Sequence, residues 1–129
     1  PVLYMLAKEG LETYPMPDDK KIEAALRRIE ALWKKAEDFL PTLPSDSYDV
    51  VYFDPMFRRP VGSSASMQPL RPASYHKPLD CGMIREALRV APLVVVKERD
   101  EALLQQLDAQ EIQGGKYSRV KYGIIRRQL

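Results

Sequence analysis

Apolar residues near the start of the chain recur at helical spacing: Val2, Leu3, Leu6, Ala7 and Leu11 form one stripe. This predicts an amphipathic helix ended by Gly10 or by the Tyr14-Pro15-Met16-Pro17 run, with Asp18 or Asp19 as the N-cap of the next helix. From Ile22 onward Ala25, Leu26, Ile29, Leu32 and Trp33 keep the same period, so periodicity alone draws one helix to about Leu40. The pattern then changes. Residues 48–53, Tyr-Asp-Val-Val-Tyr-Phe, are a compact β-branched and aromatic run closed by Asp54-Pro55, which predicts a buried parallel strand. Met83, Ile84, Ala87, Leu88 and Ala91 form another helical stripe, and Pro92 releases the chain into a second apolar strand, Leu93-Val94-Val95-Val96. A short helix is predicted over 101–107, and 111–127 reads as two strands joined around Gly114-Gly115 or a nearby turn.

Strands alternating with helices imply an α/β fold, with a mostly parallel sheet finished by an antiparallel C-terminal pair. In such sheets ligands sit beyond the C-terminal ends of the strands, where Asp54, Pro55, Met56 and Phe57 follow the first strand. Residues 58–79 hold four prolines and the run Gly62-Ser63-Ser64-Ala65-Ser66, so a mobile functional loop is expected there.

Composition narrows the class. A chain of 129 residues with 45% hydrophobic content is long enough for one domain with a real core. No apolar run approaches the roughly 20 residues needed to cross a bilayer, and no leader-like start is visible, so a soluble cytoplasmic protein is expected. One cysteine, Cys81, and one histidine, His76, argue against an internal disulfide and against a dedicated Cys/His metal site. Cys81 is expected on a helix against the core.

The net charge of +2 conceals an asymmetry. Residues 1–54 carry 7 basic and 11 acidic side chains, and residues 55–129 carry 13 basic and 7 acidic. No acid occurs in 55–79 or from Gly115 onward. Acid-free basic stretches suit a polyanion such as nucleic acid, although ordinary solvated loops look the same on charge alone.

The chemistry is concentrated at Asp54-Pro55-Met56-Phe57, which resembles the [Asn/Asp]-Pro-Pro-[Tyr/Phe] signature of methyltransferases that alkylate base amino groups. An exocyclic amino nitrogen is a poor nucleophile because its lone pair is delocalised into the ring. The Asp54 carboxylate and the Pro55 carbonyl could accept its two N–H bonds and favour a pyramidal nitrogen. Phe57 could stack on the extruded base, a contact worth about 1–3 kcal/mol. Taken alone, Asp-Pro after a strand is also common turn chemistry, and Phe57 would equally suit a core.

The longer run Tyr-Asp-Val-Val-Tyr-Phe-Asp-Pro-Met-Phe resembles the J-type family of small-subunit ribosomal RNA guanine-N2 methyltransferases. Pro1-Val2-Leu3 with Gly10-Leu11-Glu12, and Val94-Val95-Val96-Lys97, are similar to flanking segments of that family. The resemblance implies a Rossmann-like class I methyltransferase fold, S-adenosylmethionine as cofactor, and ribosomal RNA or the small ribosomal subunit as partner. It implies catalytic roles for Asp54, Pro55 and Phe57 and a cofactor contact at Asp54. A third strand is expected at 29–33 with a helix from Ala36; a continuous helix is the rival. The adenine contact would fall near Lys34, Lys35 and Ala36, of which Ala36 is the candidate. Met56, Arg58, Arg59, Arg71, His76, Lys77 and Lys97 are the nucleic-acid candidates, with Lys97 placed to neutralise a phosphate or orient the base. Amino methylation needs no strong base, so His76 has no catalytic role in this scheme.

The family's glycine-rich turn and ribose-binding acid would lie before Pro1. The chain is therefore expected to be the C-terminal part of one methyltransferase domain, with an incomplete sheet and either a companion segment or self-association. Competing readings are a DNA amino methyltransferase and a non-catalytic nucleic-acid-binding module.

Overall fold

The computed structural model describes residues 2–55 and 78–128. They fall into two compact units, 1–35 and 36–129. No helix among the described residues is long and apolar enough to cross a membrane.

The first unit contains α1 (Val2–Thr13) and α2 (Lys20–Leu26). Asp19 is the N-cap of α2, its carboxylate accepting from the backbone N–H groups of Lys21 and Ile22 at 3.0 Å each, so one of the two sequence candidates is selected. Arg27 ends α2 and donates to the carbonyls of Leu11 and Tyr14, at 2.6 and 2.8 Å, which ties the C-terminal ends of the two helices together. The rings of Tyr4 and Trp33 stack with centroids 6.5 Å apart. No residue of α1 is buried within the described chain.

Residues 29–33 are neither the expected strand nor part of a continuous helix. The backbone N–H groups of Arg28 and Ile29 bond the carbonyls of Ala25 and Leu26, three residues back, which tightens and closes α2. A strand needs a neighbour to take up its N–H and C=O groups, and the sheet contains no strand from this segment. Helical spacing of apolar residues persists past the end of the helix, and Ile29, Leu32 and Trp33 are exposed.

The second unit contains the sheet. After α3 (Ala36–Phe39) and a 3₁₀ turn (Leu40–Thr42) come β1 (Val50–Phe53), α4 (Cys81–Val90), β2 (Leu93–Glu98), α5 (Glu101–Gln106), β3 (Glu111–Gln113) and β4 (Lys121–Arg126). The strand order is β1-β2-β4-β3. β1 and β2 are parallel, with Phe53 opposite Val96, whereas β4 is antiparallel to both β2 and β3. The α/β class is therefore as expected, but the sheet is mixed and not mostly parallel. β4 returns between β2 and β3, so antiparallel pairing reaches the middle of the sheet and is not confined to its edge.

Helices α4 and α5 pack on one face of this sheet. Val94, Val96 and Ile125 point into that layer and meet Ile84, Ala87, Val90 and Leu104 in the core. Asp80 caps α4 by accepting from Met83 N–H at 2.8 Å, and Asp100 caps α5 by accepting from Ala102 N–H at 3.0 Å. Arg89, in the last turn of α4, donates to the carbonyls of Leu43 and Leu40 at 2.9 and 3.0 Å. The Asp46 and Tyr48 N–H groups bond the carbonyls of Arg89 and Val90, which aims the chain into β1. Cys81 is exposed and does not pack against the core; it opens α4 with its thiol 3.4 Å from the Gln106 carbonyl.

Candidate functional site at the strand ends

Parallel pairing of β1 with β2 is what builds the site. Because Phe53 lies opposite Val96, the next residue on each strand, Asp54 and Lys97, emerge side by side at the C-terminal ends. Lys97 Nζ donates to Asp54 Oδ2 at 3.0 Å. The pair is half-open: the lysine side chain is 27% exposed and the aspartate 49%. Their face of the sheet is opposite the one that carries α4 and α5, since side chains alternate along β2 and its neighbours Val96 and Glu98 are buried.

Two tyrosines flank the pair. Tyr52 precedes Asp54 by two residues and so shares its face, and Tyr122 stands opposite Lys97 in the antiparallel register of β2 and β4. The hydrogen bond to Asp54 raises the Lys97 ammonium above the ordinary lysine value, against a smaller opposing effect of burial. Loss of solvent raises the Tyr52 phenol, and the Asp54 carboxylate pushes it the same way.

The end of β2 is held from the buried side. Glu98 is 8% exposed, and its Oε1 accepts from the backbone N–H groups of Arg99 and Asp100 at 2.6 and 3.4 Å. The chain thus turns after Glu98 and enters α5 with its Asp100 cap formed.

Of the residues proposed from sequence, Asp54 and Lys97 are brought together, and Pro55 follows at the rim in a half-buried position. Ala36 begins α3 and packs against the hydrophobic core. Met56, Phe57, Arg58, Arg59, Arg71, His76 and Lys77 lie outside the described residues, as does almost all of the expected 58–79 loop. Tyr52, Tyr122 and Glu98 were not singled out in the sequence. Tyr52 was within reach, because residues two apart on a strand share a face; Tyr122 was not, because its position depends on how β4 returns.

No strand among the described residues runs through a glycine-rich turn into a helix, and in the helices that follow β1 and β2 one N–H group each, of Met83 and of Ala102, is engaged by the Asp80 and Asp100 carboxylates. What this geometry can do is accept hydrogen bonds and present a carboxylate, an ammonium and two aromatic rings on one open surface.

No protein-family model matches the chain, and no solved structure matches it. A 92-residue stretch, 71% of the chain, is 39% identical to the uncharacterized protein YpiP of Bacillus subtilis (strain 168). That match covers 35% of YpiP, so the chain spans well under two thirds of this relative.

Proposed function

We propose that the chain forms the base-receiving part of an S-adenosylmethionine-dependent methyltransferase acting on an exocyclic amino group, with guanine N2 of small-subunit ribosomal RNA as the substrate. The observation that carries this reading is the exposed Asp54 carboxylate at the C-terminal end of a parallel strand, followed at once by Pro55. It lies where an α/β sheet presents reacting groups, and it is the group that the resemblance to the guanine-N2 methyltransferases makes catalytic. The arrangement β1-α4-β2-α5 followed by antiparallel β3 and β4 suits the closing half of a Rossmann-like methyltransferase sheet.

The work of these residues is binding and orientation. A base amino group set against Asp54 donates one N–H to a carboxylate oxygen, and the Pro55 carbonyl takes the second, which favours a pyramidal nitrogen and withdraws its lone pair from conjugation with the ring. After transfer the nitrogen carries a proton more than its neutral product, and that proton leaves to solvent along the open face without a strong base. The cofactor supplies an electrophilic methyl group when bound.

The test is transfer of a labelled methyl group from S-adenosylmethionine to small ribosomal subunits by the full-length gene product. Asp54→Ala should lower kcat/KM by about a hundredfold, the scale seen when one preorganised polar contact at a reacting centre is removed. Full activity in that variant, or an inactive wild-type protein on both RNA and DNA, would end the proposal. Transfer to DNA and not to RNA would move the substrate to the DNA amino methyltransferases.

A further inference from the structure

We infer that Lys97 is a positioning residue for Asp54, fixing the carboxylate so that one oxygen is held by the lysine and the other is offered to the incoming amino group. This deepens the reading above and rests on it. The sequence alone suggested two other tasks for Lys97, neutralising a phosphate or orienting the base, and the geometry speaks against the first. A phosphate-binding lysine carries an uncompensated charge toward solvent. Here the ammonium lies 3.0 Å from Asp54 Oδ2, on a side chain about three-quarters covered, so its charge is already matched within the protein.

Three features fix the lysine itself. Its backbone lies in β2 between two partner strands, β1 on one side and β4 on the other. It stands opposite Tyr122 in the register of β2 and β4. The residue that follows, Glu98, is buried and pins the turn after the strand through its own backbone hydrogen bonds. Asp54, by contrast, stands just past the end of β1, which among the described residues is paired on one side only, and its side chain is 49% exposed. A rigid lysine holding a less constrained aspartate is what a positioning pair requires. Misplacing an acceptor by an ångström at such a site can cost on the order of a hundredfold in rate.

The experiment compares Lys97→Met, Lys97→Arg, Asp54→Ala and the Asp54→Ala/Lys97→Met double variant in the full-length protein, with kcat and the KM for ribosomal RNA measured separately. The positioning role predicts that Lys97→Met lowers kcat by about tenfold or more with KM for RNA within about twofold of wild type. Lys97→Arg, which can still donate to Oδ2, should restore most of the rate. The double variant should be no slower than Asp54→Ala alone, since a lysine that acts through Asp54 has nothing left to position. Three results would overturn the inference while leaving the proposed function standing: a Lys97→Met protein with wild-type kcat, rate losses that multiply in the double variant, or a raised KM for RNA at unchanged kcat with a weakened salt dependence. The last of these is the signature of a phosphate contact. An inactive wild-type protein, or an Asp54→Ala variant as active as wild type, would remove the underlying reading and the inference with it.

Discussion

The two faces of the sheet are built from similar residues and have opposite fates. On one, Val94 and Leu104 are fully buried between the strands and α4 and α5. On the other, Val50 is 46% exposed and Tyr52 51%, and the charged pair Asp54–Lys97 lies among them. The sequence of β2, Leu-Val-Val-Val, does not alternate, and such a run belongs to a strand covered on both sides. Within the sheet unit, α4 and α5 cover one side. The difference separates two duties: the covered face holds the sheet together, and the open face carries the polar chemistry at its C-terminal rim.

The sharpest way to break this comparison is to weaken one residue on each face. Leu104→Ala should lower the stability of the sheet unit by roughly 2–5 kcal/mol in urea unfolding, because Leu104 is enclosed and the cavity it leaves cannot collapse. Val50→Thr, on the open face, should change it by about 0.5 kcal/mol or less. Comparable losses in both variants would mean that the open face is covered in solution, and the contrast between the faces would fail.

A second substitution probes how tightly the covered face is closed. A Cβ on Gly123 would lie 2.8 Å from Leu104 Cδ2 and 3.2 Å from Ala109 Cβ, so β4 approaches α5 at a point where only glycine fits without displacement. Leu104 has no room to swing aside, being wholly buried. Gly123→Ala should therefore cost about 1–3 kcal/mol, and a variant as stable as wild type would show that the layer repacks easily.

How much of this was legible beforehand depends on the kind of signal. The strand of 50–53, helix α4, strand β2 and the C-terminal hairpin announce themselves through local periodicity and proline punctuation, and each lies within a few residues of its expected span. Asp54 was legible for the same reason, since Asp-Pro closes a strand wherever it occurs after a β-branched run. Residues 29–33 misled in both readings: the strand expected from the resemblance has no partner in the described sheet, and the helical spacing of the rival continues where the hydrogen bonds have already closed at Ala25 and Leu26. The Lys97–Asp54 contact needs the parallel register of β1 and β2, and Tyr122 needs the antiparallel return of β4. Both are tertiary facts, set by pairing between segments far apart in the chain, and a pattern read along one segment cannot contain them. The antiparallel C-terminal pair was expected, whereas the place of β4 between β2 and β3 was missed on the same ground.

The smallest expected effects concern the two ends of the strands, where ion pairs of opposite pH behaviour stand. At the end that leads into β1, the Asp46 carboxylate accepts from the Arg127 guanidinium, which depresses the Asp46 acid below the ordinary aspartate value. A depressed carboxylate stabilises the fold above its unfolded value, and that contribution is lost as pH falls through the folded one. At the other end the raised Lys97 contributes below the ordinary lysine value and loses its contribution as pH rises through its folded value. Thermal melts across pH should therefore show Asp46→Asn removing part of the acid-side loss with no alkaline effect, and Lys97→Met removing part of the alkaline-side loss. Since both pairs are partly solvated, each change should be far smaller than that of Leu104→Ala. An alkaline limb left unchanged by Lys97→Met would mean that the bond to Asp54 gives the lysine no advantage in the folded state.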